Sequence, residues 1–128
     1  MAESKDKTVP HLINLHEDPQ LSGIIYYSLS SGQIVIGRKG VDEKPPEIIL
    51  GAIGIKQNHS KINLLPNGLF ELTCIDSEAA AVTLVNGKFI PVKKKSKILN
   101  HLDRICFAGS AIFVFHTKPQ IPFLFFHI

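Results

Sequence analysis

Scarcity limits this sequence first. Its 128 residues hold no tryptophan, one methionine, two cysteines and two arginines, the last against twelve lysines. Two cysteines, Cys74 and Cys106, are too few for a disulfide scaffold. Both lie in apolar runs, where a reduced thiol acts as a small hydrophobe, and this usage points to a reducing compartment. No stretch reaches the roughly 18 apolar residues of a membrane-spanning helix. No basic-then-apolar signal segment opens the chain. Paired Cys-x-x-Cys spacing is missing and the histidines are scattered, so neither a metal nor another cofactor is expected. Nothing has the form of a nucleophile elbow, and the chain is read as non-catalytic. A net charge of +3 is too small to mark a nucleic-acid or membrane surface. Two motifs mislead. Gly32 and Gly37 have the spacing of a phosphate loop, but Arg38-Lys39 follows where Lys-Ser or Lys-Thr is needed. Asn58-His59-Ser60 matches a glycosylation acceptor, without a secretory signal to give it meaning.

What is present is a set of short alternating apolar runs. Hydrophobic residues make up 45% of the chain, enough for one domain with its own core. Residues 1–9 are polar and read as a disordered arm or linker. His11–Leu15 alternates as a strand. Ile24–Leu29 and Gln33–Ile36 flank the tight turn Ser30-Ser31-Gly32, which predicts a hairpin over residues 24–36. Pro45-Pro46 precedes a short strand at Glu47–Leu50. Ser60–Leu65 and Leu69–Ile75 flank Pro66-Asn67-Gly68, with Phe70, Leu72 and Cys74 expected to point inward. Asp76–Ala81 is one helical turn or a loop. Asn86-Gly87 joins Val82–Val85 to Lys88–Ile90, and Pro91 marks an edge. Leu102–Phe107 and Ala111–Phe115 close the series. The expected fold is all-β, an antiparallel two-sheet β-sandwich of about 11 strands. It occupies residues 10–116. Residues 117–128 form an apolar tail whose packing the sequence does not decide, and IPFLFFHI, exposed in isolation, would invite aggregation.

The stretch Ile34–Leu65 organises the rest. Arg38 follows a β-run, where an arginine presents a rigid fork of donors to a phosphate or carboxylate. His59 lies within reach as a brace for the loops around it. Gly37-Arg38, His59, Thr83-Leu84-Val85-Asn86-Gly87, and Leu102-Asp103-Arg104-Ile105 with Gly109 together resemble the forkhead-associated domain, a fold of the FHA/SMAD-like kind. The segment PHLINLHEDPQLSGIIYY, residues 10–27, is similar to the opening of such domains in kinesin-3 motor proteins.

That resemblance implies a site at one end of the sandwich. Arg38 would contact phosphate, and Gly37, His59, Asn86 and Gly87 would brace the loops. The family's S-x-x-H motif falls on Lys56 to His59, so Lys56 stands where a phosphate-contacting serine is usual. Ala81 and Val82 stand where a ligand-holding asparagine and glycine are usual. The expected function is a non-catalytic protein-interaction or regulatory module of a kinesin-3-like microtubule motor, an ATP-driven enzyme only in its parent chain. Its partner would be a protein, phosphorylated or not, or the neighbouring motor or neck region, in the cytoplasm and on the cytoskeleton. The alternative is a phosphothreonine reader centred on Arg38. A second alternative is a weak lipid or nucleic-acid adaptor using Lys93–Lys97, although a solvated lysine face is the plainer reading. Arg104 is given a structural role, pairing across strands with a carboxylate.

Overall fold

Strand faces are set by the period of two, and the alternating runs bury one side of each strand. The structure, a computed structural model, describes residues 9–40, 44–109 and 111–117. Apart from Val9 and Thr117, the expected arm and apolar tail lie outside the described residues. The described residues form eleven strands: β1 (His11–Leu15), β2 (Tyr26–Ser28), β3 (Gln33–Gly37), β4 (Ile48–Ile49), β5 (Ser60–Leu64), β6 (Phe70–Cys74), β7 (Thr83–Val85), β8 (Lys88–Phe89), β9 (Ser96–Leu99), β10 (Arg104–Phe107) and β11 (Ala111–His116). A single helical turn, α1 (Ser77–Ala80), lies between β6 and β7. One sheet has the order β2-β1-β11-β10-β7-β8, the other β4-β3-β5-β6-β9. The fold is the expected all-β, two-sheet arrangement.

The core lies between the sheets. Leu12, Val85, Ile105, Phe107 and Phe115 come from the six-stranded sheet. Ile34, Ile36, Ile62, Phe70, Leu72 and Leu99 come from the five-stranded one. Phe70 meets Phe115 edge-to-face at 5.5 Å between ring centroids, a favourable aromatic geometry that joins the two layers. Phe70, Leu72 and Cys74 face inward, as their alternation requires. Cys74 and Cys106 are both free thiols.

Two expectations fail locally. Residues 24–36 are not a hairpin, because β2 pairs with β1 and β3 pairs with β4 and β5. The turn does form, with the Gly32 amide donating to the Leu29 carbonyl at 3.1 Å and Gly32 at φ +86°. It carries the chain across to the other sheet instead of folding it back. Buried Leu29 points into the core at the crossing. The sandwich is also not wholly antiparallel. β4 runs parallel to β3, with Ile36 opposite Ile48 and Gly37 opposite Ile49. A tight turn cannot join two parallel neighbours, because it reverses the chain. Pro45 and Pro46 stand just ahead of an edge strand, where a missing amide costs no ladder bond.

Asn86 and Gly87, at φ +53° and +81°, make the two-residue turn between β7 and β8. The lysine tract forms a turn closed by the Lys95 amide on the Pro91 carbonyl at 2.7 Å, then enters edge strand β9. Lysines along an edge discourage pairing with other chains. Leu72 is fully buried in the middle of β6. Leu72→Ala is expected to cost about 2–5 kcal/mol of unfolding free energy. Urea denaturation followed by far-UV circular dichroism checks this.

Candidate functional site

The site is built on a close approach of two backbones. A Cβ on Gly37 would lie 2.7 Å from the Asn58 nitrogen, 2.8 Å from the Lys56 oxygen and 2.9 Å from the His59 nitrogen. Only glycine lets the 56–59 segment lie this close to β3. The contact is sealed by the Arg38 amide donating to the Lys56 carbonyl at 3.0 Å.

His59 is fully buried at the base of this contact. The Lys56 amide donates to its Nδ1 at 3.3 Å, which places the ring proton on Nε2. Nε2 then donates to Thr83 Oγ1 at 2.9 Å, and that hydroxyl donates to the Ala79 carbonyl at 2.8 Å. Burial holds the His59 ring below the usual histidine value; nearby Asp76 opposes this and Lys56 adds to it. A second proton would have to sit on Nδ1, facing an amide N–H.

Arg38 is exposed at the loop end. Its Nε donates to the Ile55 carbonyl at 3.1 Å and its Nη2 to the Ala52 carbonyl at 3.0 Å. A guanidinium has five N–H donors, so three remain free of these two bonds. One edge of the fork is anchored and the other is available to a ligand. No carboxylate pairs with Arg38 among the described residues.

Lys56 is placed differently. Its Nζ lies 2.7 Å from Asp76 Oδ2 and also binds Glu78 Oε1. Hydrogen bonding to Asp76, then to Glu78, raises the Lys56 pKa above its ordinary value. The same Lys56 contact, helped by the Ala79 amide, lowers that of Asp76. Asp76 serves twice, because its Oδ1 also caps α1 by accepting from the Ala79 amide at 2.8 Å. Sequence reasoning missed both carboxylates. The only local signal was the cap pattern of an aspartate before Ser-Glu-Ala-Ala, which announces a helix start and not a lysine twenty residues earlier.

Asn86 lies in a second network. Its Nδ2 donates to Asp103 Oδ1 at 2.8 Å, and its Oδ1 accepts from the Arg104 amide at 2.9 Å. Asp103 Oδ2 accepts from the Asn100 amide at 2.8 Å, which satisfies this buried carboxylate. Arg104 itself is exposed, and among the described residues it has no carboxylate partner, contrary to the expected cross-strand pair. Its outward position opposite Val114 on β11 is the reason. Among the described residues no group of three or more His, Cys, Asp or Glu is placed to hold a metal.

A family model for the FHA domain matches residues 34–108. The chain belongs to the FHA-domain family. FHA domains are non-catalytic protein-interaction modules. The kinesin-like protein KIF28 of Rattus norvegicus is 30% identical over 118 residues, or 89% of this chain and 10% of that protein. The human kinesin-like protein KIF14 is 32% identical over 116 residues, or 91% of this chain and 7% of that protein. The chain therefore spans about a tenth or less of the length of these relatives. The FHA domain of yeast Dun1, solved with a doubly phosphorylated peptide, is similar at a TM-score of 0.63 and 23% identity, over 95% of this chain and 84% of that one. That likeness shows the fold.

Two predictions follow from the His59 and Gly37 contacts. Gly37→Ala forces backbone against backbone and is expected to cost about 1–3 kcal/mol, read by urea denaturation. His59 titrates at a lower pH in the folded chain than in the unfolded one. Its contribution to stability is complete above about pH 6.5, the free-histidine value, and is lost as pH falls toward the folded value. Unfolding free energies of wild type and His59→Gln between pH 7.5 and 5 should show a shallower acid slope in the variant.

Proposed function

We propose that this chain is a phosphothreonine-dependent protein-binding domain with Arg38 as its phosphate contact. The observation that carries this reading is the anchored guanidinium. Two of its donors are fixed on the Ala52 and Ile55 carbonyls, and the group has no carboxylate partner among the described residues. Such a group binds a phosphate with little further loss of side-chain freedom. The phosphorylated ligand of the Dun1 domain supports the same use here. The kinesin-like relatives support a larger motor as the parent chain, of the kinesin-3 kind that residues 10–27 resemble, in the cytoplasm and on the cytoskeleton.

Affinity should be modest. Lys56 supplies charge where the family uses a serine hydroxyl, and Ala81 supplies no side-chain donor to the ligand backbone. Each missing hydrogen bond costs on the order of 1 kcal/mol. Two such losses weaken a micromolar site about 30-fold, into the tens of micromolar. A second reading, favoured by the kinesin likeness, is a phosphate-independent contact with a motor or neck region.

The test is titration of a degenerate phosphothreonine peptide library at physiological salt, with unphosphorylated controls. Phosphate-dependent binding is expected, abolished by Arg38→Ala and weakened by Arg38→Lys, which keeps the charge but loses the fork. Binding of an unphosphorylated motor or neck segment that is indifferent to Arg38→Ala would replace this reading with the second.

A further inference from the structure

Lys56 is not a free cation. Its ammonium is shared by two resident anions, Asp76 and Glu78. The two cationic side chains spring from adjoining backbone, since the Arg38 amide bonds the Lys56 carbonyl and the Arg38 Nε bonds the Ile55 carbonyl. An anion that engages both groups meets, at Lys56, an ammonium that is already occupied. Asp76 is held in place by its capping bond to the Ala79 amide. The Glu78 side chain is 78% exposed, and Lys56 is its partner.

We propose that Asp76 and Glu78 are internal competitors for Lys56, and that this competition makes the site selective for a dianionic phosphate over a carboxylate. The inference rests on the phosphate reading of Arg38. Two of the three Lys56 N–H donors are taken by resident carboxylates, so a ligand competes with both anions for the ammonium. For a peptide Asp or Glu the exchange is like for like, and the ordering cost of binding is left uncompensated. A phosphothreonine carries about −1.5 to −2 charge at pH 7 and three acceptor oxygens. It can engage the Arg38 fork and still draw Lys56 away from a single negative charge. Until the exchange occurs, the two carboxylates also repel acidic peptides, so discrimination comes from a built-in penalty as well as from attraction.

The test uses one peptide sequence in three forms, with phosphothreonine, glutamate or threonine at the central position. Wild type is compared with Glu78→Gln, Asp76→Asn/Glu78→Gln, Lys56→Met, Lys56→Met/Glu78→Gln and Arg38→Ala. Asparagine caps a helix as well as aspartate does, so α1 keeps its start. Glu78→Gln is expected to bind the phosphopeptide about 2- to 5-fold tighter, the worth of one exposed ion pair. The double carboxylate variant should gain more and should begin to bind the glutamate peptide, narrowing the phosphate-to-carboxylate ratio. On the Lys56→Met background the Glu78→Gln gain should shrink. An undiminished gain there would mean that Glu78 acts only by direct repulsion, and would overturn the competition. Arg38-dependent binding that Glu78→Gln leaves unchanged or weakens would overturn this inference alone. Absence of Arg38-dependent phosphopeptide binding in every variant would remove the phosphate reading and this inference with it.

Discussion

The buried imidazole of His59 ties together the segments that meet at the loop end. One ring nitrogen accepts from the loop before β5, and the other donates to Thr83 at the start of β7 in the opposite sheet. Thr83 passes the bond on to α1. The ring also stands edge-on to Phe107 of β10 at 6.0 Å. Each ring nitrogen of His59 has a partner, Thr83 Oγ1 both accepts and donates, and a buried donor or acceptor left without a partner costs about 1–3 kcal/mol. The arrangement therefore fixes a single tautomer and a single loop position. Gly37 makes the same position possible from the β3 side by leaving room for the backbone of residues 56–59. These two constraints hold the backbones that carry Arg38 and Lys56.

A second network, Asn86–Asp103–Asn100, is separate in kind. Its members satisfy one another and the Arg104 amide, and the buried carboxylate of Asp103 is fully used within the fold. It holds the β7–β8 turn against the approach to β10. Around the His59–Gly37 contact the charges differ: Arg38 keeps donors beyond its two backbone bonds, while Lys56 is paired with Asp76 and Glu78.

Much of this was legible in the sequence because the signals are local. The inward set Phe70, Leu72 and Cys74 follows from a period of two. The turn at Asn86-Gly87 follows from its need for two positive φ angles. Leu29 shows where local reading stops. Ser30-Ser31-Gly32 is a genuine turn, yet whether a turn reverses a strand or hands the chain to another sheet depends on what Leu29 buries against, and that partner is remote in sequence. The parallel β3–β4 pair was hidden for a similar reason, since no tight turn joins parallel neighbours. Gly37, Arg38, Lys56 and His59 could be singled out by motif. The occupation of Lys56 could not, because Asp76 and Glu78 reach it only after β5 and β6 have paired and placed α1 beside the loop.

The ion pairs of Lys56 have little to do with holding the fold together. The Lys56 and Asp76 side chains are 37% and 42% exposed, so water and salt screen their attraction. Asp76 would cap α1 without the lysine, and Glu78 projects into solvent. The larger consequence is for the field at the loop end. A lysine on the backbone that adjoins Arg38 would by itself add a second positive charge to this loop end. With two carboxylates facing it, the lysine's charge is cancelled until something displaces them. Arg38 then stands as an anchored cation with no acidic partner among the described residues. On the proposed competition, the fold supplies the rigidity and the ion-pair cluster sets how strong an anion must be to use it.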